Sequence, residues 1–132
     1  MTVFADTFAL LAWLNPRDAA HPVVTAYLDG FTGRLVTTEW VLVEVADALS
    51  APSARATAVA FLTAVRGDPL FDVVGYEPAV YRDGFDLFAS RPDKAWSLTD
   101  CISFTVMTAK GLTEALTADR HFEQAGFRAV FK

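Results

Sequence analysis

Cysteine and histidine are scarce. One cysteine, Cys101, and two histidines, His21 and His121, occur in 132 residues. No internal disulfide can form, and no Cys/His cluster of the zinc-binding kind is present. Cys101 lies in an apolar stretch and reads as core packing. No apolar run is long enough to cross a bilayer, and no basic segment precedes an apolar one at the N-terminus. The expectation is a soluble, cytoplasmic protein with no membrane association. Neither a Gly-x-Gly-x-x-Gly pattern nor a P-loop occurs, so nucleotide binding has little support. Positive charge is in deficit, with 11 Lys and Arg against 16 Asp and Glu and a net charge of -5. That argues against broad electrostatic attraction to nucleic acid. It leaves a nuclease open, because metal ions reverse the sign inside an acidic pocket.

What is present is apolar and alternating. Hydrophobic residues make up 53% of the chain and mean hydropathy is +0.30, which excludes disorder. The length fits one domain, residues 1–132, around one core. Short β-type runs (Val3–Ala5, Leu35–Thr37, Leu70–Val74, Ala115–Thr117, Arg128–Val130) alternate with helical ones. The helices are expected over Phe8–Leu14, from Pro22 to Gly30, from Thr38 to about Leu49, from Pro52 to Gly67, over Pro78–Ala89, from Ser97 or Thr99 to Gly111, and over Arg120–Ala125. Tyr81, Phe85 and Phe88 fall on one face of the fifth of these. Such alternation predicts an α/β fold with a parallel sheet covered by helices on both faces and right-handed crossovers.

Four acids interrupt this apolar pattern. Asp6 stands between Val3-Phe4-Ala5 and Phe8-Ala9-Leu10-Leu11. Glu44 divides Trp40-Val41-Leu42-Val43 from Val45-Ala46. Asp100 opens Cys101-Ile102-Ser103-Phe104, and Asp119 closes Leu116-Thr117-Ala118. A buried, unpaired carboxylate costs several kcal/mol, comparable to the stability of a small domain. Four of them call for a shared compensation, and a divalent cation is the economical one. Each also has a plain structural reading: a turn or cap for Asp6, a capping box Ser97-x-x-Asp100, and a helix cap for Asp119. Glu44 has the least room for one, because its helix is apolar nearly all round and is expected to be buried. Asp6 and Asp119 fall at strand carboxyl ends, where parallel α/β sheets bind ligands. Oxygen donors without Cys or paired His suit Mg²⁺ or Mn²⁺.

The segments Val3-Phe4-Ala5-Asp6-Thr7, Trp40 to Leu49 around Glu44, Trp96-Ser97-Leu98-Thr99-Asp100-Cys101-Ile102-Ser103-Phe104 and Ala115-Leu116-Thr117-Ala118-Asp119-Arg120-His121-Phe122 together resemble a PIN-domain protein, and within that family the VapC-type toxin ribonucleases. The resemblance spans the whole chain in order. It implies a three-layer α/β/α sandwich with a central parallel sheet. It also implies an Mg²⁺- or Mn²⁺-dependent endoribonuclease, usually the toxin of a bacterial type II toxin–antitoxin pair and usually a homodimer. It carries the catalytic and metal-binding acids onto Asp6, Glu44, Asp100 and Asp119, with the Thr117 hydroxyl as helper and Thr7 and Thr99 as further candidates. Phe8 departs from the small or polar residue frequent at its position and is expected to reshape the pocket lip. Asp47 is expected to be exposed.

RNA contacts are expected foremost from Arg91, Lys94 and Arg120, with Arg17 and Arg34 as further cations. His121 is read as a helix residue packing with Phe122, and His21 as a helix-start residue. Trp13, Trp40 and Trp96 are read as core or interface. A dehalogenase-type phosphatase needs a second Asp where Phe8 stands, and a receiver domain needs an acidic pair and a late Lys that are not convincing here. The remaining alternative is a non-catalytic PIN-like scaffold that binds RNA or protein without cutting.

Overall fold

The computed structural model describes residues 1–132. In chain order the elements are β1 (Thr2–Ala5), α1 (Thr7–Leu14), α2 (His21–Asp29), β2 (Arg34–Thr38), α3 (Glu39–Ala48), α4 (Pro52–Ala64) with a 3₁₀ turn Val65–Gly67, β3 (Phe71–Val74), α5 (Pro78–Ser90), α6 (Leu98–Lys110), β4 (Glu114–Leu116), α7 (Arg120–Gln124) and β5 (Arg128–Ala129). The local signals explain most boundaries. Thr38 caps α3 by accepting from the Val41 N–H. Pro lies in the first turn of α2, α4 and α5, where its missing N–H costs nothing. Ser97 caps α6 in a full capping box with Asp100, and Gly111 ends it at φ 68°, a left-handed turn that favours glycine.

The five strands form one parallel sheet in the order β3-β2-β1-β4-β5. Strands buried on both faces read as continuous apolar runs, which is what Val3, Phe4 and Ala5 are. The chain builds outward from β1 to β2 to β3, then crosses back to place β4 on the other side of β1. That reversal opens a crevice beyond the carboxyl ends of β1 and β4. The helices connecting these parallel strands cover the sheet, giving the α/β/α layering the sequence implied.

One expectation needs correcting, and one face gains its orientation. Helix α3 is not buried all round: Val43 is 45% exposed and Asp47 and Ala48 face solvent, so one edge of the helix is wet. Glu44 is half-buried beside that edge and still turns inward. On α5, the aromatic face of Tyr81, Phe85 and Phe88 points outward, each residue 43–46% exposed. The inner face of α5 instead presents Gly84, buried against α6. A Cβ there would lie 2.3 Å from Ile102 Cγ1 and 2.8 Å from its Cα. Gly84→Ala should therefore destabilise the protein by roughly 1–3 kcal/mol through overpacking, despite alanine's better helix propensity. Urea unfolding measures this, and a stability equal to or above the parent's would show that α5 and α6 do not pack this closely.

Candidate active site

The crevice at the strand reversal collects the four acids. Asp6 directly follows β1 and stands at the N-cap of α1. Asp119 follows β4 as the N-cap of α7 and accepts from the His121 N–H through Oδ1 at 2.9 Å. Asp100 sits at the third position of α6, where its Oδ2 accepts from the Ser97 N–H at 3.1 Å. Glu44 reaches in from the second turn of α3. Asp6, Thr7, Phe8, Glu44, Ala95, Ser97, Asp100, Ala118, Asp119 and His121 line one cavity of about 520 Å³. Clefts of similar volume elsewhere, about 450 Å³ at Trp40 and Phe85 and about 490 Å³ at Trp96 and Phe127, each carry a single carboxylate. Chemistry, not size, marks the acidic one.

Hydroxyls tie the acids together. Thr117 Oγ1 donates to Asp6 Oδ2 at 3.0 Å and accepts from the Asp119 N–H at 3.1 Å, joining the ends of β1 and β4. Thr7 Oγ1 donates to Glu44 Oε1 at 2.6 Å. Thr99 lines neither the cavity nor any hydrogen bond to its acids. Phe8 is at the lip as expected, its ring 6.3 Å from that of Phe131.

His121 corrects the sequence reading. It does not simply pack beside Phe122. Its Nδ1 lies 3.1 Å from Asp100 Oδ2 and 3.5 Å from Asp119 Oδ1. The ligand atoms of Asp100, Asp119 and His121 all fall within 4.8 Å of one another. The signal was in the sequence as Asp119-x-His121: a capping Asp bonds the N–H two residues on, which brings that residue's side chain back over the cap.

The cationic candidates divide. Arg91 is held by Asp93 in a two-bond pair and lies over the Trp96 ring at 5.1 Å. Arg34 donates to the Phe71 carbonyl at the opposite end of the sheet. Arg17 lines a different cleft with Asn15 and Ser53. Lys94 and Arg120 make no ion pair, and they flank Ala95 and Asp119 at the cavity. Trp96 and Cys101 are core residues, and Trp13 stacks on Phe71.

No Lys or Arg lines the cavity. Burial therefore pushes the Asp6 carboxyl up from 3.8 to about 7, with Asp100 and Glu44 adding repulsion and bonds from the Thr7 backbone and Thr117 opposing it. A buried carboxyl that resists ionisation, set among further oxygen donors and no cationic side chain, fits a divalent metal. A raised carboxyl pKa means that folding is favoured while Asp6 is protonated and loses that advantage as it ionises. Metal-free protein should thus lose stability as pH rises from 3.8 towards about 7, by up to roughly 4 kcal/mol. Asp6→Asn should flatten that slope in thermal unfolding under chelator. An unchanged slope would mean that Asp6 is not the titrating group.

The whole-chain likeness to known proteins agrees with this geometry. The PIN domain family model matches residues 3–128. Among solved structures, the chain is similar to Mycobacterium tuberculosis VapC20, a Sarcin-Ricin loop cleaving toxin, at 26% identity and a TM-score of 0.88, covering 97% of this chain and 98% of that one. It shares the fold of FitAcB from Neisseria gonorrhoeae, at 18% identity, a TM-score of 0.67 and coverage of 100% and 97%. It also shares the fold of Rickettsia felis VapBC2, solved bound to a DNA fragment from the promoter, at 11% identity, a TM-score of 0.65 and coverage of 94% and 92%. No curated protein sequence matches the chain. With the family model spanning all but its extreme ends, the chain belongs to the PIN domain family.

Proposed function

We propose that this protein is a divalent-metal-dependent endoribonuclease, the toxin of a type II toxin–antitoxin pair, with Asp6, Glu44, Asp100 and Asp119 as its catalytic acids. The observation that carries this reading is the meeting of four sequence-distant carboxylates in one cavity without a cationic side chain. A scaffold that only binds has no use for that repulsion, so the catalytic reading is favoured over the non-catalytic one. The RNA substrate is supported by the likeness to VapC20, a Sarcin-Ricin loop cleaving toxin.

The four acids would hold Mg²⁺ or Mn²⁺. Such an ion, when bound, supplies Lewis acidity: it makes water a stronger nucleophile and offsets the negative charge that builds at phosphorus. The chain's own residues do the positioning. Thr117 fixes Asp6 and the Asp119 backbone in one hydrogen-bonded bridge. Thr7 aims Glu44, and the α6 capping box holds Asp100 rigid. These bonds set the carboxylates before any ligand arrives, which lowers the cost of assembling the site. Lys94 and Arg120, free of ion pairs, are the local cations that would hold the RNA backbone against the chain's overall negative charge.

A cognate antitoxin and a second copy of the chain complete the reading. Tyr76, Tyr81, Phe85 and Phe88, all exposed, supply apolar surface of the kind that protein interfaces bury. In assays with Mg²⁺ or Mn²⁺, the protein should cleave RNA, and chelator should stop it. Asp6→Asn should lower the rate by roughly a hundredfold or more while keeping the fold. Cleavage that survives both chelator and Asp6→Asn would refute the metal-dependent reading. Among the cations, Arg120→Ala should weaken RNA binding and reduce the salt slope by roughly 0.7, one contact's worth for a single strand. Arg91→Ala should do neither, because Asp93 already neutralises that guanidinium.

A further inference from the structure

His121 brings the single nitrogen donor to a cavity otherwise lined by carboxylates, hydroxyls and apolar groups. Its place is set by the backbone. The Asp119 cap bonds the His121 N–H at 2.9 Å, so the imidazole folds back over the start of α7. The ring is 20% exposed, and its inner nitrogen faces two different acids. Nδ1 to Asp100 Oδ2 is 3.1 Å, Nδ1 to Asp119 Oδ1 is 3.5 Å, and the three donor atoms lie within 4.8 Å of one another. Neighbouring donors around an octahedral ion with bonds of about 2.1 Å stand about 3 Å apart. The two separations from Nδ1, 3.1 and 3.5 Å, are close to that edge length, and the pair of carboxylates lies within 4.8 Å. Nδ1 is the ring nitrogen set against the acids, so Nε2 can carry the ring proton while Nδ1 offers its lone pair.

We propose that His121 is a metal ligand through Nδ1, alongside Asp100 and Asp119, and that it biases the site towards a nitrogen-accepting first-row transition ion over Mg²⁺. The proposal rests on the metal-dependent reading above and adds a selectivity to it. Mg²⁺ keeps to oxygen donors and holds its waters, so one imidazole adds little to its binding. First-row transition ions accept imidazole as well as carboxylate, and their affinity for mixed nitrogen and oxygen sites rises along the series. A single histidine among acids thus discriminates between ions that an all-carboxylate site would hold more evenly. The backbone cap does not depend on the imidazole, so replacing the side chain leaves the Asp119 bond in place.

The test uses the full chain, with Mn²⁺ and Mg²⁺ as probes. Calorimetry gives both affinities, and pulsed electron paramagnetic resonance on the Mn²⁺ complex reads coupling to a histidine nitrogen. The parent should bind Mn²⁺ at least tenfold more tightly than Mg²⁺ and show the nitrogen coupling. His121→Asn should erase the coupling and cut Mn²⁺ affinity by roughly ten- to a hundredfold, with Mg²⁺ affinity changed less than about threefold. The far-ultraviolet circular dichroism spectrum should be unchanged. Mn²⁺ binding without nitrogen coupling, or an equal loss for both ions, overturns the proposal and reduces His121 to a hydrogen-bonding support for Asp100. A parent that binds neither ion overturns the metal-dependent reading itself, so the two failures are distinct.

Discussion

The Asp6 carboxylate is buried with no positive charge near it, and the rest of the site is arranged around that constraint. A second buried acid in the same fold shows the contrast. Glu39, at the start of α3, is equally enclosed but receives two bonds from the Arg66 guanidinium, the one from Nε measuring 2.7 Å. Glu39 is a structural acid whose compensation is built into the chain. Asp6 has only the Thr117 hydroxyl and the Thr7 N–H, neither of which carries charge, and it faces Glu44 and Asp100 besides. A charge that the chain does not neutralise is a charge left for something the chain binds.

The sheet order makes that gathering possible. Asp6 and Asp119 are 113 positions apart in number but follow adjacent parallel strands, β1 and β4, paired at Phe4 with Ala115 and Ala5 with Leu116. The pairing brings the two strand ends level, and Thr117 bridges them. Asp100 comes from the helix that crosses between β3 and β4, and Glu44 from the helix that leaves β2. Four acids on four connections converge because all four connections leave or enter the sheet at one end. Small residues help: Ala5 and Ala115 are fully buried in the paired strands and let the sheet be covered closely on both faces.

Much of this was legible in the sequence, for physical reasons that differ by element. The strands were readable because burial on both faces leaves continuous apolar runs, and the helices because Pro, Ser, Thr and Gly mark their ends through backbone geometry. The four acids were readable because charge inside an apolar run is costly anywhere. What failed to show was anything set by orientation alone. Helical spacing put Tyr81, Phe85 and Phe88 on one face but did not say that Gly84, on the other, is the face that packs against Ile102. The apolar sequence of α3 concealed that Val43 faces solvent. Arg91 looked like an available cation because its pairing with Asp93 is a matter of rotamers in a loop. His121 looked like packing because its neighbour Phe122 is fully buried; the turn at Asp119 sends the two side chains in different directions.

On the proposed metal-binding reading the acids of this site have two jobs, and the two can be separated chemically. Asp100 is half of a capping box and Asp119 is a cap, so each stabilises a helix end by accepting from backbone N–H groups. A cap is worth about 1 kcal/mol, and truncation to alanine removes it together with the charge. Asparagine keeps an acceptor oxygen at the cap and removes only the charge, since it caps helices as well as aspartate does. At Asp6, which makes no side-chain cap bond, the same change removes an ionisation that burial opposes. Asn variants should therefore be as stable as the metal-free parent, or more so at Asp6, while losing whatever depends on negative oxygen. On that reading stability and chemistry pull in opposite directions at Asp6, as expected of a residue kept for what it would hold and not for the fold.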